Sequence, residues 1–212
     1  DRYQTGENIF YYITLYIENY AMPAIPEGDA AVEGIIRGAY CWQPREGEGA
    51  PVDLLASGSI MQQATEAAAT LRELGYAPAI WSVTSYVELA REAESCERDA
   101  RLQALEARRV PYVEALFADC EGPVVAVTDY QKALPASIAR WMPDSYTVLG
   151  TDGFGLSETR PDLRDHFEVS SRHIVQAALA GLHRQGRIDG ATLETQLAGL
   201  GIDVARQDPA AR

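Results

Sequence analysis

The sequence predicts an α/β fold with three layers, in which helices cover both faces of a mostly parallel sheet of about five strands. Short apolar runs such as Val52–Ala56 and Ala79–Val83 alternate with amphipathic helical segments. A chain that passes through a helix between two strands usually returns parallel to the first strand. The 212 residues, 47% hydrophobic and 23% charged, also have the composition of an ordinary globular protein.

The first elements are predicted from composition and turn signals. Ile9–Tyr16 is rich in aromatic and β-branched residues, which predicts a buried strand. Met22–Gly28 contains two prolines and a glycine, which predicts an extended connector and a domain boundary near 20–30. A short helix is predicted over Ala30–Arg37 and a strand over Gly38–Trp42. The polar segment Gln43–Ala50 is of the type that joins neighbouring strands.

A β-α-β unit is the clearest pattern in the chain. Val52–Ala56 predicts a strand, the turn Ser57-Gly58-Ser59 follows it, and Ala79–Val83 predicts the next, parallel strand. Ser59 and Gln62 have the spacing of a capping box, and Gly75 suits the left-handed end of a helix. The helix between them has one apolar face, made of Ile60, Ala64, Ala67, Ala68, Leu71 and Leu74.

The second half of the chain continues the alternation. A charged helix is predicted over Tyr86–Ala107, whose interleaved Glu and Arg residues indicate a solvated face with weak ion pairs. Strands are predicted over Val124–Val127 and Tyr146–Leu149, with a helix over Pro135–Arg140 between them. Two final helices are predicted over Ser171–Gln185 and Asp189–Leu200.

Charge and cysteine content exclude several classes of function. Eighteen basic and 31 acidic residues give a net charge of −13, which disfavours nucleic acid and anionic lipid as partners. No apolar run approaches the roughly 20 residues of a membrane-spanning helix, and no signal peptide pattern is visible. Three widely spaced cysteines indicate neither a zinc site nor a disulfide framework, so we expect a cytoplasmic protein.

Familiar catalytic motifs are absent from the sequence. Ser57-Gly58-Ser59 lies where a phosphate-binding turn would lie, but it has no G-x-G-x-x-G pattern and no Walker lysine, so helix capping is the favoured interpretation. His166, His173 and His183 lack the i, i+4 spacing of paired metal ligands, so we expect structural roles. For His183 that role is at a helix C-terminus. We therefore assign no catalytic, cofactor-binding or metal-binding residue.

The segment Leu149–Arg160 is the densest group of residues suited to a site. It follows a predicted parallel strand, and such positions commonly bind ligands or partners in α/β proteins. The alternative is a turn whose glycines satisfy the backbone and whose polar residues cap the next helix. Residue chemistry leaves both interpretations open. The candidate residues are Asp152, Phe154, Gly155, Ser157 and Arg160.

Several short strings, taken in order, resemble the carboxy-terminal region of the homodimeric bacterial pyruvate dehydrogenases, the thiamine diphosphate-dependent decarboxylating components of their complexes. The resemblance spans nearly the whole chain. Within the candidate segment, Leu149–Gly155 and Ser157 match the family. The remaining matching strings are Glu7–Thr14, Glu18–Tyr20 with Met22-Pro23, Ser82–Ser85, Glu88–Arg91, Cys96–Arg98, Arg109–Tyr112, Thr128–Tyr130 and His166–Val169.

The resemblance implies a transketolase C-terminal domain-like fold for residues 28–212. Residues 1–27 would be the tail of the pyrimidine-binding middle domain and a connector. The resemblance also implies a homodimer and a dihydrolipoyl acyltransferase partner. It implies that thiamine diphosphate and magnesium are bound by upstream domains. The isolated segment would therefore be inactive.

Three positions depart from the family pattern. Ala21, Leu156 and Ser170 stand where His, Arg and Asp are expected. These departures leave another 2-oxo acid, such as 2-oxobutyrate, open as the substrate. Two more hypotheses are a transketolase and a free-standing interaction module without catalytic function.

Overall fold

A computed structural model describes residues 4–13, 15, 19–21, 23–103, 108–203 and 205–209. The strands are β1 (Ala39–Gln43), β2 (Pro51–Ala56), β3 (Ala77–Val83), β4 (Val124–Val127) and β5 (Tyr146–Leu149). The helices are α1 (Asp29–Arg37), α2 (Met61–Glu73), α3 (Tyr86–Gln103), α4 (Tyr112–Leu116), α5 (Ala133–Ala136), α6 (Arg160–His166), α7 (Ser171–Arg184) and α8 (Gly190–Gly199). In the part of the chain that is described, no helix has the length and apolar character needed to cross a bilayer.

The five strands form one sheet in the order β1-β3-β2-β4-β5. β3, β2, β4 and β5 are parallel, and β1 pairs antiparallel with β3 at one edge. This confirms the mostly parallel sheet. The interpretation of Gln43–Ala50 as a link between neighbouring strands is wrong, because β3 lies between β1 and β2. Neighbouring strands are only about 4.8 Å apart, so the segment can cross the end of β3.

Two hydrophobic cores lie on opposite faces of the sheet. Successive residues of a strand point to opposite faces, and β2 shows this directly. Leu54 packs in one core with α2 and α7, and Leu55 packs in the other with α3 and α4. The three-layer αβα arrangement is therefore confirmed, and β2 contributes to both cores.

Helix α2 confirms most of its predicted features. The predicted apolar face from Ile60 to Leu71 is buried, and Gly75 has φ +88° at the end of the helix. The predicted capping box is wrong. A 3-10 turn over Gly58–Ile60 precedes the helix, and the Ser59 hydroxyl donates to Asp129 instead of to the backbone of its own helix.

The predicted first strand is also wrong for the residues that are described. Ile9–Ile13 and Leu15 belong to no strand and are exposed, with Phe10 89% exposed. A strand needs hydrogen-bonding neighbours, and none of the described strands pairs with this segment. The remaining residues of the predicted strand lie outside the described residues. The Pro23–Glu27 segment is neither helix nor strand, as the proline content predicts.

Two charged residues of α3 have roles that the solvated-face interpretation missed. Glu92 Oε2 accepts a hydrogen bond from the Tyr112 backbone N–H at 2.9 Å, and Glu97 Oε1 accepts one from the indole N–H of Trp141 at 2.8 Å. These bonds tie α3 to α4, a helix that was not predicted, and to the segment before β5. The predicted end of the helix, residues 104–107, lies outside the described residues.

The helix predicted over Pro135–Arg140 is divided in two. Helix α5 is followed by a separate 3-10 turn over Ala139–Trp141. The Ser137 hydroxyl donates to the carbonyl of Leu134 at 2.6 Å. Such a side-chain bond competes with continuation of the helix.

A buried carboxylate stands inside the central strand. Asp53 is 1% exposed, and its two oxygens accept hydrogen bonds from Arg45 at 2.8 Å and from the indole of Trp81 at 2.9 Å. Burial and the nearby Asp53 raise the pKa of the Cys41 thiol, and raise that of Cys120 to about 12. Both thiols are therefore protonated at neutral pH and are weak nucleophiles.

Two leucine substitutions test the central role of β2. We expect Leu54→Ala to lower the free energy of unfolding by about 3 kcal/mol, because it opens a cavity in a closed core. Leu102→Ala on exposed α3 surface should change it by less than about 0.5 kcal/mol. Urea unfolding measures both. Equal effects of the two substitutions would contradict the burial pattern.

Candidate functional site

A crevice opens at the carboxyl ends of β2 and β4. The chain leaves β2 through α2 towards β3, and it leaves β4 through α5 towards β5, on the opposite side of the sheet. Adjacent parallel strands whose connections diverge in this way create a crevice, and α/β proteins commonly bind ligands there. The candidate functional site lies at this position.

A side-chain hydrogen bond spans the crevice. The buried Ser59 hydroxyl, in the turn after β2, donates to Asp129 Oδ2 after β4 at 2.9 Å. Sequence analysis missed both residues as site residues, since Ser59 was interpreted as a helix cap. The available signal was the position of Thr128-Asp129-Tyr130 directly after a buried strand.

The segments that follow β4 and β5 are tied together by hydrogen bonds. Thr151 donates its backbone N–H to the Tyr130 carbonyl at 2.8 Å and its hydroxyl to the Asp129 carbonyl at 3.0 Å. A side chain on Gly150 would begin 2.8 Å from the Tyr130 carbonyl oxygen, so only glycine allows this approach. The base of the candidate segment is thus fixed against its neighbour.

Helix α6, which was not predicted, forms the other wall of the site. Thr159 caps it by accepting the Asp162 backbone N–H, and Pro161 occupies its first turn. The sequence Thr159-Arg160-Pro161-Asp162 carries this signal. After α6, Glu168 adopts φ 58° and turns the chain into α7.

A cavity of about 370 Å³ lies between the candidate segment and α6. Its apolar lining includes Leu163, Phe167 and Val169. Its polar lining includes Ser59, Asp129, Thr151, Arg160 and Arg164. The cavity can therefore offer a small molecule both an apolar wall and charged groups.

The five sequence-predicted residues do not act as one group. Phe154, Gly155 and Arg160 line this cavity, whereas Ser157 lines a neighbouring one of about 410 Å³. Asp152 lines neither cavity, and its Oδ1 accepts the Lys132 backbone N–H at 3.0 Å, a purely structural bond. Arg160 also donates from Nη1 to the Tyr20 hydroxyl at 3.2 Å, which joins Tyr20 to the candidate segment.

Behind the cavity lies a cluster of charged groups around Asp165. Arg172 donates to Asp165, and Arg206 in the chain's last described segment pairs with it at 3.3 Å. Burial opposes ionisation of Asp165, but the Arg172 hydrogen bond and the charges of Arg172 and Arg206 lower its pKa. The carboxylate therefore stays charged and holds the Arg206 segment against α6.

His173 is buried within the same cluster at 2% exposure. Its Nδ1 lies 2.8 Å from the Ser170 hydroxyl and 3.8 Å from Asp165. Burial lowers the pKa of His173, and the charges of Asp165 and Glu168 only partly offset that effect. The folded protein therefore holds this imidazole in its neutral form.

The residues present do not fit a magnesium diphosphate group. The described residues contain no cluster of three His, Cys, Asp or Glu side chains that could hold a metal ion. Magnesium takes oxygen ligands, and the only two asparagines of the sequence, Asn8 and Asn19, are not adjacent.

Comparison with protein families identifies the domain. The sequence model described as the transketolase-like TK C-terminal domain matches residues 38–170, more than half of the chain. The chain belongs to this family. Its recognised relatives include the pyruvate dehydrogenase E1 component of Escherichia coli K12, 45% identical over 205 residues. That of Pseudomonas aeruginosa is 42% identical over 206 residues. The resemblance seen in the sequence is confirmed.

The matches cover most of this chain but little of each relative. The alignments with the two E1 components include 96% of this chain and 23% of the relative. Among solved structures, the Pichia stipitis transketolase bound to sedoheptulose 7-phosphate has a TM-score of 0.51 at 17% identity, over 79% of this chain and 21% of that one. This likeness concerns the fold alone, and it agrees with the transketolase-like α/β fold.

Removal of the Ser59–Asp129 hydrogen bond should lower the free energy of unfolding measurably. We expect Ser59→Ala to lower the free energy of unfolding by about 1.5 kcal/mol, because it removes a buried hydrogen bond to a carboxylate. Ser57→Ala is the matched control, since the Ser57 side chain makes no capping bond, and it should cost less than about 0.5 kcal/mol. Urea unfolding compares them. A cost for Ser57→Ala as large as for Ser59→Ala would contradict this role of the bond.

The buried His173 should make the free energy of unfolding depend on pH. Its folded pKa lies below the unfolded value of about 6.5, so stability is full above that value and falls as the unfolded chain binds a proton below it. We expect His173→Gln to reduce the loss of stability between about pH 7.5 and 5. Urea midpoints across this range measure it. The exposed His183→Gln is the control and should retain the wild-type slope; a slope unchanged in His173→Gln would contradict the assignment.

Proposed function

We propose that this chain is the transketolase-like third domain of a pyruvate dehydrogenase that oxidatively decarboxylates pyruvate and acetylates lipoyl groups. The observation that carries the proposal is the 45% identity to an E1 component across 96% of the chain. The chain spans 23% of the length of that relative, so the activity belongs to a longer protein.

The proposed domain division is 1–27 and 28–212. Regular structure among the described residues begins with α1 at Asp29, after the proline-containing connector. The exposed aromatic residues of Ile9–Ile13 support the assignment of the first segment to another domain, whose sheet would supply the missing strand neighbours.

Thiamine diphosphate and magnesium are proposed as cofactors of the longer protein, held by residues upstream of this chain. The poor fit of the residues described above supports that placement. The role left to this domain is support of dimerisation and assembly. Val32 and Ile36 lie one turn apart on α1, and both are exposed, as an apolar contact surface requires.

The proposed partners are a second copy of the protein and a dihydrolipoyl acyltransferase in the cytoplasm. The net charge of −13 disfavours nucleic acid and anionic membranes as partners. A dehydrogenase for 2-oxobutyrate is the second candidate, favoured by the departures at Ala21, Leu156 and Ser170. A transketolase and a free-standing module are the third and fourth candidates.

Activity measurements separate these candidates. The complete protein from its source cell, supplied with thiamine diphosphate and magnesium, should turn over pyruvate with a higher kcat/KM than 2-oxobutyrate or ketose phosphates. The 212-residue chain under the same conditions should show no turnover, because no group of side chains suited to a metal ion occurs among its described residues. Ferricyanide reduction follows the 2-oxo acids, and product analysis follows the sugars.

Each contrary outcome selects a different function. Preference for 2-oxobutyrate selects the second candidate, and turnover of ketose phosphates selects a transketolase. Cofactor-dependent activity of the 212-residue chain would contradict the upstream placement of the cofactor. An immunoblot of source cells with a band at 23.2 kDa and none above it would favour the free-standing module.

A further inference from the structure

We infer that the cavity beside α6 binds a small molecule carrying a carboxylate or phosphate group, with Arg164 as its charge partner. This inference concerns binding by the chain itself. It does not depend on the proposed activity of the longer protein.

The first argument is that the Arg164 guanidinium has no partner among the described residues. Its side chain is partly buried and lines the cavity, yet among the described residues it has neither a carboxylate partner nor a side-chain hydrogen bond. The neighbouring Arg172 and Arg206 are both engaged with Asp165. A guanidinium carries five N–H donors, and no described side chain engages those of Arg164. An anionic oxygen in the cavity would accept hydrogen bonds from them.

The charge balance of the lining is the second argument. The chain as a whole carries −13, but the cavity is lined by the two guanidiniums of Arg160 and Arg164 and by one carboxylate, that of Asp129. The site is therefore locally cationic on an anionic protein. A cation would meet two like charges, whereas an anion would gain a charge-assisted hydrogen bond.

The apolar part of the cavity lining limits the size and polarity of the rest of the ligand. Leu163, Phe167 and Val169 line the cavity, and Phe154 stands at its rim with 72% of its surface exposed. The volume of about 370 Å³ is at the small end of ligand pockets. These dimensions suit one anionic group on a short apolar or aromatic body.

Binding measurements on the 212-residue chain test the inference. The probes are phenyl phosphate, benzoate and the neutral isostere benzamide, titrated by calorimetry and by protein-observed NMR. At least one anion should bind saturably and more tightly than benzamide, and the tighter anion identifies phosphate or carboxylate as the preferred group. Arg164→Gln should weaken anion binding by about tenfold or more.

Two further variants make the result independent of damage to the fold. Arg101→Gln removes the same charge from exposed α3, where the arginine faces Glu97, and it should leave the affinity unchanged. Asp129→Asn keeps an acceptor for Ser59 but removes a negative charge from the cavity, so it should strengthen anion binding. Misfolding cannot produce a gain in affinity.

Several outcomes would overturn the inference. These are benzamide binding as tightly as the anions, no saturable binding of any probe at millimolar concentration, or equal losses in Arg164→Gln and Arg101→Gln. Weaker anion binding in Asp129→Asn would also overturn it. None of these readouts involves catalysis, so failure here is distinguishable from failure of the proposed dehydrogenase function.

Discussion

Burial of the central strand β2 on both faces and along both edges is the constraint on which the structure depends. A parallel strand in this position must be apolar on both faces, so helices must cover the sheet twice. Its neighbours β3 and β4 must both be reached by crossover connections. The charged Asp53 can be buried in this strand because Arg45 and Trp81 donate hydrogen bonds to its carboxylate oxygens.

The candidate site is a consequence of that arrangement. The chain must leave β2 in one direction and β4 in the other, so the groups at the ends of these strands lose their regular neighbours. Ser59 and Asp129 bond across the gap, and Thr151 bonds to the segment after β4. These bonds hold the segments after the three strands β2, β4 and β5 together. Helix α6 then closes one side of it and creates a cavity.

The sequence predicts the strands well because helices cover both of their faces, so apolar residues dominate each strand, even β2 with its buried Asp53. The same signal misleads at Ile9–Ile13, because apolar composition reports that a partner exists and not that the partner lies in the described chain. Ser59 shows a second limit. Local spacing indicated a helix cap, but its acceptor is Asp129, on a separate strand end that the sequence does not show to be adjacent. The position of the Leu149–Arg160 segment at a strand end was predictable, because the segment follows a predicted parallel strand. Its neighbours across the cavity were not.

Within that segment, the residue that most resembles a catalytic group has a structural role. Asp152 would be the obvious candidate for a carboxylate at a strand end, yet it accepts a backbone N–H from Lys132 and so fixes the base of the segment. That fixed base holds Phe154 and Gly155 at the cavity rim. Arg164, the inferred charge partner of a ligand, comes from a helix that sequence analysis did not predict. In this domain, therefore, Asp152 fixes the shape of the candidate site, and the inferred charge partner of a ligand lies on the facing helix α6.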